Sequence, residues 1–372
     1  MFSSPDTCFG SVSDPRRNDK NKIYKLSDLL FIMVAATISG ITDWVGMEEW
    51  AESKQDWLGQ YIDVSHGTPS HDTFRAVAGR INPVEFNRSF TQWVHTELPD
   101  LAGLHIAVDG KALRGSRDEQ GIVHIVSAFA TKARIILTQQ ACAEKSNEIT
   151  AIPDLLSLLE LKGAVVTIDA MGCQKNIAKQ IVDAGGDYVL ALKENQPTLY
   201  AEAKSTLDAE GLADRLEVRE TVDRAHGRLE VRSSALSLNL DGISKKDDWA
   251  GLKAIGVVEA IREVKDTVSV ESRYFITSIT DPVRFQEVVR DHWAIETSQH
   301  LVLDVQFHED DNRTREKNAA TNLAIIRRIS LNMLRRNTNR SDEKRSIRSR
   351  RIRAAADDAA RARYIFGADH QK

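Results

Sequence analysis

Two aspartates occupy matching places in the sequence, because each follows a short apolar run that is typical of a buried strand. The run LHIAVDG is predicted to end on Asp109, and the run AVVTIDA on Asp169. A carboxylate at the end of a buried strand is costly unless it is paired or binds a metal ion. Ligands of open α/β sheets gather at strand ends. A lone aspartate there is more often a turn or helix cap, but two of them favour a shared site.

Glu296 is the third acid that this site could use. It lies on a predicted helix from Val283 to about Leu301, on a stripe at helical spacing that also holds Phe285, Val289 and His292. A charge on a face directed at the core needs a partner. Three converging carboxylates repel one another without cations, and divalent metals relieve that repulsion.

These acids predict phosphoryl-transfer chemistry. Two divalent ions, Mg²⁺ or Mn²⁺, about 3.5–4 Å apart, would activate a water or a DNA 3′-hydroxyl and stabilise the leaving oxygen. A second acidic cluster follows, with Asp304, Glu309, Asp310 and Asp311. Asp304 is the substitute ligand if Glu296 points away. The alternative is that this cluster is a helix end and turn with solvated acids.

The elements that position the acids fall into an α/β pattern behind a helical segment. Residues 1–22 form a polar lead that we expect to be poorly ordered, and residues 23–98 form a helical N-terminal domain that is a candidate DNA-binding domain. Its predicted helix caps are Ser27, with Gly40 ending that helix, and Ser70. From residue 101 the order is three meandering strands, a helix opened by Ser146 or Asn147, a strand, a helix and a strand.

That order is typical of an RNase H-like mixed sheet, in which right-handed helical crossovers add parallel strands to an antiparallel meander. Residues 194–282 carry several strand-like stretches and predict a β-rich insertion before the helix that holds Glu296. The predicted catalytic domain is 101–336, and a basic tail, 337–372, follows it. From Arg327 to Arg353 the chain has eleven Arg or Lys and two acids, either a solvated charged face or a set of phosphate contacts.

The composition is that of an ordinary soluble protein, with 372 residues, 42% hydrophobic and 28% charged. The net charge of −4 neither marks a nucleic-acid binder nor excludes one, because DNA responds to local patches. Three widely spaced cysteines (Cys8, Cys142 and Cys173) argue against a disulfide framework or a zinc site and fit a reducing cytosol. With no signal peptide and no apolar run long enough for a bilayer, we expect a cytoplasmic, nucleoid-associated protein without membrane contact.

Four long segments carry a family resemblance: VDGKALRGS (108–116), VTIDAMGCQKNIAKQIVDAGGDYVLALKENQPTL (166–199), HGRLEVR (226–232) and HWAIETSQHLVLDVQFHEDDNRTREKNAATNLAIIRR (292–328). Through them the chain resembles the H-repeat-associated group of insertion-sequence transposases over nearly its whole length. The segment HGTPSHDTF is similar to that family's N-terminal associated domain. The resemblance implies DNA-mediated transposition by an RNase H-like fold, with a catalytic DDE triad at Asp109, Asp169 and Glu296.

One part of the family pattern differs in this chain. Related transposases carry a Tyr, an Arg three residues later, the catalytic Glu four residues further and a Lys seven beyond it. Those positions hold Val289, His292, Glu296 and Leu303 here. The task of gripping DNA phosphate is therefore expected of other residues, which are His292, His300, Arg313, Arg315 and Lys317.

Further DNA contacts are predicted beside the two aspartates. Lys111 and Arg114 follow Asp109 in a Gly-flanked turn, and Lys193 and Asn195 follow the last core strand. They could meet phosphates near the metals, although a solvated basic hairpin and a polar loop are the simpler alternatives. A dinucleotide-binding site is disfavoured because the turn DAMGCQKN lacks the glycine pattern that such sites need.

The sequence thus predicts a transposase that cuts and joins DNA at the terminal inverted repeats of an insertion sequence and inserts it into target DNA. Because two element ends must be paired, a dimer on DNA is expected from the mechanism. Two alternatives remain at this point: a catalytically silent DNA-binding remnant of a mobile element, and a metal-dependent nuclease on the same fold.

Overall fold

A single mixed β-sheet runs through the structure, a computed structural model that describes residues 9–17, 22–119, 121–142, 148–209, 216–225, 228–264 and 267–367. Its strands are β1 His105–Asp118, β2 Gly121–Ala130, β3 Ile135–Ala141, β4 Val165–Ile168, β5 Asp187–Leu192, β6 Leu216–Ala225, β7 Arg228–Ser237, β8 Ala254–Val264 and β9 Thr267–Thr277. The order of these described strands across the sheet is β3-β2-β1-β4-β5-β9-β8-β7-β6.

The helices cover the sheet and form the N-terminal segment. They are α1 Leu26–Ile38, α2 Trp44–Ser53, α3 Gln55–Leu58, α4 His71–Arg80, α5 Pro83–Glu97, α6 Glu148–Leu156, α7 Lys175–Asp183, α8 Pro197–Ala209, α9 Pro282–His292, α10 Leu301–Phe307, α11 Lys317–Arg336, α12 Ile347–Ala356 and α13 Asp358–Phe366. No helix among these described residues is long and apolar enough to cross a membrane.

The RNase H-like fold predicted from the element order is confirmed. Strands β1, β2 and β3 pair antiparallel, and β4 and β5 add to β1 in parallel. Helix α6 connects β3 to β4, and α7 connects β4 to β5. The short β4 is buried on both faces, as its uninterrupted apolar sequence indicated.

The predicted β-rich insertion does not form a separate sheet. Strand β9 pairs antiparallel with β5, and β8, β7 and β6 follow outward by antiparallel pairing. The insertion therefore widens the core sheet on the side of β5. It places its own side chains next to the ends of the strands that carry the aspartates.

Two predicted element boundaries near the acids were wrong. Strand β1 does not end at Asp109 but continues to Asp118, because β2 supplies antiparallel partners up to Leu113 and, after an irregularity in the register, again at Asp118. The predicted turn with Lys111 and Arg114 is thus part of a strand. The predicted helix of Glu296 is also interrupted: α9 ends at His292, and a π-helical segment, Ile295–His300, precedes α10.

The N-terminal helices share one apolar core with the sheet, and α11 joins the two. All residues of α11 from 319 to 334 are buried. The Asn332 side chain accepts from Ile136 N–H and donates to its carbonyl, which ties α11 to β3. The Asn322 side chain donates to the carbonyls of Ala78 and Ile81, which ties α11 to the end of α4.

Helix capping in the N-terminal segment agrees with the prediction at one site and differs at another. The Ser70 hydroxyl accepts from Thr73 N–H at the start of α4, as predicted. Ser27, in contrast, lies inside α1 and is buried, and Lys25 precedes that helix. The apolar residues of α1 are buried nearly all round, so packing decides where the helix begins.

The described parts of the N-terminal lead and of the C-terminal tail pack against the rest of the protein. In the lead, Phe9 and Val12 are buried, and the Phe9 ring packs edge-on against Phe86. The basic tail forms α12 and α13. The predicted start of α6 at Ser146 or Asn147, the motif residues His226 and Gly227, and Cys8 lie outside the described residues.

Four of the eleven basic residues from Arg327 to Arg353 are buried, whereas five are exposed, so the predicted solvated face describes only part of this run. Arg351 donates to the Thr37 carbonyl and lies 4.3 Å from the Phe307 ring centre. Arg361 lies 4.2 Å from the Trp57 ring centre. Arg350 donates to the carbonyls of Leu334 and Asp342. Guanidinium groups hold backbone carbonyls and stack on aromatic rings at once, and here they fasten the C-terminus to the helical segment.

Candidate active site

The parallel pairing of β1 and β4 brings the two aspartates to the same level of the sheet. Val108 is the register partner of Ile168, and Asp109 and Asp169 are the next residue of each chain. Both line a cleft of about 230 Å³, and Glu296 lines it as well. The same cleft is bordered by His292 and, from the loop after β5, by Lys193.

The carboxyl group of Asp109 is held in an unfavourable electrostatic environment. Burial and the nearby carboxylates of Asp169, Glu296 and Glu148 raise its pKa to about 7, although a backbone hydrogen bond from Gly110 opposes the rise. Like charges close together disfavour ionisation of each. A cation in the cleft would relieve this repulsion, and carboxylate oxygens are the ligands that Mg²⁺ and Mn²⁺ prefer.

Asp169 has a structural role through one carboxylate oxygen, and the residue also lines the cleft. Its Oδ1 accepts from Met171 N–H at 3.1 Å and Gly172 N–H at 3.4 Å and thereby caps a short 3₁₀ helix. The cap predicted as the simpler alternative is thus real, yet it uses one carboxylate oxygen. Asn195 donates to the Ala170 carbonyl, so the loop after β5 is attached to the turn that carries Asp169.

Glu148, at the start of α6, is an acid of this site that sequence reasoning missed. Burial and the Asp169 carboxylate raise its pKa. A Cβ atom at Gly110 would lie 2.0 Å from Glu148 Oε1, so the glycine leaves the space that the carboxylate occupies. The strand pattern predicts no position for Glu148, but a glycine directly after a candidate ligand was a usable signal.

Glu296 reaches the cleft from the π-helical segment and is exposed there. The sequence analysis placed it on a core-facing stripe, of which Phe285 is buried and Val289 and His292 are partly buried. The break after α9 changes the direction of the stripe, so Glu296 faces the cleft. Single π-helical turns occur often at functional sites.

The Asp304 substitute is engaged elsewhere. Its Oδ1 lies 2.6 Å from Lys111 Nζ, and Asp310 Oδ1 lies 2.8 Å from the same ammonium. Lys111 itself is buried. An ammonium enclosed by carboxylates is not available for a phosphate, so the expected contact between Lys111 and DNA is incompatible with these ion pairs.

Behind Lys111 lies a fully buried ion pair. Glu309 Oε1 accepts from Arg328 Nη1 at 2.9 Å, and Arg327 Nη1 lies 3.8 Å from the same oxygen. Burial raises the pKa of Glu309, but Arg328, Arg327 and Lys111 outweigh it, and the net pKa is below the usual value. Of the four acids in this cluster, Glu309 is buried, Asp304 and Asp310 are half-buried beside Lys111, and Asp311 is exposed in the turn after α10.

His292 takes part in a buried relay of side chains that we call the threonine relay: His292, Thr167, His105 and Thr131. The Thr167 hydroxyl lies 2.7 Å from His292 Nδ1 and 2.7 Å from His105 Nε2. His105 Nδ1 lies 3.0 Å from the Thr131 hydroxyl. Because a hydroxyl has one proton, Thr167 can donate to only one of the two rings, and the other ring must then donate to it. The proton positions of the two imidazoles are thus linked.

Both imidazoles of the threonine relay are neutral at ordinary pH. Burial, together with the Arg273 guanidinium, lowers the pKa of His292 to about 4. Burial lowers that of His105 to about 3, with His292 and Arg284 contributing. His292 therefore offers a neutral imidazole to the cleft and not the positive charge of an arginine.

Two other predicted DNA contacts are turned toward the protein. His300 Nδ1 lies 3.5 Å from Asp109 Oδ2, and burial lowers its pKa to about 3. Lys317 Nζ donates to Asp118 at 2.8 Å and to the Gly121 carbonyl at 2.8 Å. These side chains support Asp109 and the β1–β2 hairpin and leave no charge free for DNA.

The remaining predicted contacts are exposed: Lys193, Asn195, Arg114, Arg313 and Arg315. Arg114 lies on the exposed end of β1, with its Nε 3.4 Å from Asp310. Arg313 and Arg315 lie in the loop between α10 and α11. Of these five residues, Lys193 lines the cleft itself.

Within the described ranges, no three acidic, histidine or cysteine side chains are already assembled at the spacing of a metal site. The carboxylates of Asp109, Asp169 and Glu296 line an open cleft instead. Mutual repulsion keeps such groups apart until cations draw them together. The donor set consists of carboxylate oxygens from two neighbouring strands and from the π-helical segment, and it fits hard divalent ions.

Comparison with known proteins relates the chain to one family along most of its length. A family model described as transposase DDE domain matches residues 101–333, and a model described as DDE_Tnp_1-associated matches residues 7–94. An uncharacterized protein in the dhlA 3′ region of Xanthobacter autotrophicus is 41% identical over 286 residues, or 76% of this chain and 97% of that protein.

Two relatives from Escherichia coli carry names that describe a function. The putative transposase YncI of strain O157:H7 is 38% identical over 87% of this chain and 85% of its own length. The H repeat-associated putative transposase YhhI of strain K12 is 36% identical over 90% of each chain. Together with the matched fold, these likenesses show that the chain belongs to the H repeat-associated group of transposases with a DDE domain.

Proposed function

We propose that the protein cleaves DNA at insertion-sequence ends and joins the ends to target DNA in a metal-dependent reaction, with Asp109, Asp169 and Glu296 as catalytic acids. The observation that carries the proposal is geometric: Asp109, Asp169 and Glu296 line one cleft where the parallel pairing of β1 and β4 ends. Burial and the acidic neighbours also raise the pKa of Asp109 to about 7. Perturbed acids in a cleft are typical of functional sites. The family assignment supplies the reaction class.

The proposed metal ligands are the carboxylates of the three acids. Glu148 is a further carboxylate beside them, and its negative charge would add to the attraction for the metal ions. When bound, two Mg²⁺ or Mn²⁺ ions supply activation of the attacking hydroxyl and stabilisation of the leaving oxygen. Asp169 keeps its orientation because its Oδ1 caps the following turn. Its second carboxylate oxygen is then the one proposed to bind metal. Asn195 keeps the loop of Lys193 against that turn.

DNA is the proposed partner, as terminal inverted repeats and as target. Lys193, Asn195 and His292 would contact the strand at the cleft, and Arg114, Arg313 and Arg315 would contact phosphates farther along the duplex. Lys111, His300 and Lys317 leave this set because of their partners inside the protein. Pairing of two ends requires two catalytic sites, so a dimer on DNA is part of the proposal.

The test is a cleavage and joining assay with purified protein and a labelled DNA that carries the inverted repeats flanking the gene. With Mg²⁺ or Mn²⁺, we expect nicked 3′ ends and joined products, and none with chelator. Salt-sensitive end binding without cleavage would instead support the silent remnant. Cleavage without joining, on any DNA, would support the nuclease.

The threonine relay gives a prediction within this proposal. Replacing Thr167 with valine removes the hydroxyl between His292 and His105, so the His292 ring loses the partner that orients it at the cleft. We expect cleavage to slow by about 10–100-fold, the range known for the loss of partners that orient side chains at metal sites. Thr167→Ser keeps the hydroxyl and should retain most activity. The measurement is the initial rate of 3′ nicking together with the melting temperature.

A matched control exists in the same sheet. Thr138 is equally buried, and its hydroxyl lies 2.7 Å from that of Thr91 and accepts from Asn87. Thr138→Val loses a buried hydroxyl far from the cleft, so it should lower the melting temperature while the nicking rate stays within a few fold. Equal rate losses in both valine variants would show that the relay acts only through stability.

A further inference from the structure

The direction of the hydrogen bonds in the threonine relay determines what His292 presents to the cleft. A neutral imidazole has one N–H donor and one acceptor nitrogen. His292 lines the cleft, and its Nδ1 lies 2.7 Å from the Thr167 hydroxyl. Its Nε2 has no hydrogen-bond partner among the described residues and is not enclosed. Nε2 is therefore either an N–H donor or a lone pair at the cleft, depending on whether Nδ1 accepts or donates.

The strand pattern places the relay beside the catalytic acids. His105 is four residues before Asp109 on β1, so both side chains project from the same face of the sheet. Thr167 of β4 pairs with Ala107, which lies between them on that face. His105, Thr131 and Thr167 are all buried. Their polar atoms therefore depend mainly on one another for hydrogen bonds.

The end of the relay that is farthest from the cleft sets its direction. Among the described residues, the Thr131 hydroxyl has two acceptors, which are His105 Nδ1 at 3.0 Å and the His105 carbonyl at 3.4 Å. An O–H···O bond normally spans about 2.5–3.0 Å, and this carbonyl already accepts from Thr131 N–H at 3.1 Å. The hydroxyl proton therefore belongs to the bond with His105 Nδ1.

A donor at Thr131 fixes each of the following bonds. Because His105 accepts at Nδ1, its own proton is on Nε2 and is donated to the Thr167 oxygen, 2.7 Å away. The Thr167 proton is then donated to His292 Nδ1, so the proton of His292 is on Nε2. The reverse direction would leave the buried Thr131 proton with the carbonyl at 3.4 Å as its acceptor.

We propose that His292 Nε2–H is a neutral hydrogen-bond donor to a non-bridging oxygen of the scissile phosphate, with Thr131, His105 and Thr167 as positioning residues. This inference rests on the proposed function, which places DNA at the cleft. It excludes His292 as a proton acceptor and as a metal ligand, because both tasks need a lone pair at Nε2. Unlike a guanidinium, a neutral donor forms no ion pair with the carboxylates that are proposed to bind the metal ions.

The first experiment locates the proton of His292 directly. The full chain is labelled with nitrogen-15 in its ten histidines, and long-range proton–nitrogen correlation spectra distinguish the two neutral tautomers, since a protonated and an unprotonated ring nitrogen differ widely in chemical shift. The signal that is missing from His292→Gln identifies His292. We expect the proton on Nε2. A proton on Nδ1 would overturn the inference.

A change at the far end of the relay tests its direction. Thr131→Val removes the donor to His105 Nδ1, so Nε2–H is no longer favoured and His292 should show intermediate nitrogen shifts from both tautomers. The matched control is Thr138→Val, which loses a buried hydroxyl outside the relay and should leave the His292 signals unchanged. An unchanged His292 tautomer in Thr131→Val would contradict the role of Thr131, as would an equal change in the control.

The contact with phosphate is measured in the Asp169→Asn variant of the full chain, with a fluorescein-labelled duplex that carries the inverted repeat. The amide group of glutamine reaches as far from the backbone as Nε2, whereas that of asparagine reaches only as far as Nδ1. By fluorescence anisotropy, we expect His292→Gln to bind within about twofold of this parent and His292→Asn about tenfold more weakly, as for the loss of a hydrogen bond to a charged group.

A second duplex carries an uncharged methylphosphonate in place of the phosphate at the end of the repeat. On that duplex the glutamine and asparagine variants should bind alike, because the charged acceptor is gone. Equal weakening of both variants on the natural duplex would overturn the contact, and so would a tenfold loss in His292→Asn on the methylphosphonate duplex. Absence of any end binding by the parent would count against the proposed function, whereas the ring spectra decide the direction of the relay without DNA.

Discussion

Replacing Asp169 with asparagine is expected to reduce the rate of DNA cleavage by about 10³-fold or more, since a metal contributes several kcal/mol to such a reaction. Asparagine keeps the oxygen that accepts from Met171 and Gly172, so the turn after β4 stays in place. The change removes the negative charge at the cleft and little else. Initial rates of 3′ nicking at saturating metal measure the effect, and a melting curve checks the fold.

Asp304→Asn is the matched control for that experiment. Asp304 lies on the helix after Glu296 and was the alternative candidate for the third metal ligand. Its carboxylate is, however, 2.6 Å from Lys111 Nζ. We expect a nicking rate within a few fold of wild type and a lower melting temperature, because Lys111 loses one partner. A rate loss in Asp304→Asn as large as that in Asp169→Asn would contradict the assignment of the metal ligands. Full activity of Asp169→Asn would refute the triad itself.

The largest expected effect on stability is at Glu309. Glu309→Gln should lower the free energy of unfolding by about 3–5 kcal/mol, since removing one partner of a buried ion pair leaves the other charge uncompensated. Here two guanidinium groups, of Arg328 and Arg327, are left on the buried face of α11. Equilibrium unfolding in urea, followed by circular dichroism, measures the change.

Two further variants separate charge from packing at this site. Asp311→Asn removes an exposed acid two residues away that pairs with His308, and it should have little effect because exposed pairs contribute little. Replacing Glu309 with leucine and Arg328 with methionine together should restore part of the loss, because an apolar pair of similar volume avoids the desolvation cost. If Glu309→Gln were as stable as wild type, the buried cluster would not hold α11 against β1.

The same cluster connects stability to the proposed chemistry. Lys111 is two residues after Asp109 on β1, and His300, which lies against Asp109, is followed by Asp304 on α10. The charged side chains around Glu309 thus connect β1, which carries the proposed catalytic acid Asp109, to α10, which continues the helical segment of the proposed catalytic acid Glu296. Loss of Glu309 is expected to loosen both at once.

Much of the fold was predictable from local patterns. The uninterrupted apolar runs of β4 and β5 and the alternating runs of β2 and β3 indicated their strands, and the crossover rule gave the parallel additions. The periodicity of a strand indicates which of its residues are buried. It does not indicate how far the neighbouring strand continues to pair with it. Strand β1 therefore extends to Asp118 because β2 continues beside it, which no pattern within residues 104–118 shows.

The sequence pattern was a poor guide to which charged side chains are buried. Eleven basic residues from Arg327 to Arg353 suggested a free surface, yet Arg328 and Arg351 are buried against Glu309 and Phe307. Whether a guanidinium is solvated depends on a carboxylate, carbonyl or ring far away in the chain. Only folding brings those partners together.

The sequence by itself determined the kinds of residue at the site and the strands that carry two of them. Asp109 and Asp169 are adjacent because parallel strands in register place equivalent residues side by side. The tertiary structure alone decided the other features: Glu148 beside Gly110, the break that directs Glu296 into the cleft, and the engagement of Asp304 by Lys111. Each of these features depends on a contact between segments that are distant in the sequence. Apolar periodicity can be recognised within one segment, whereas the partner of a charged side chain cannot be identified from the residues around it.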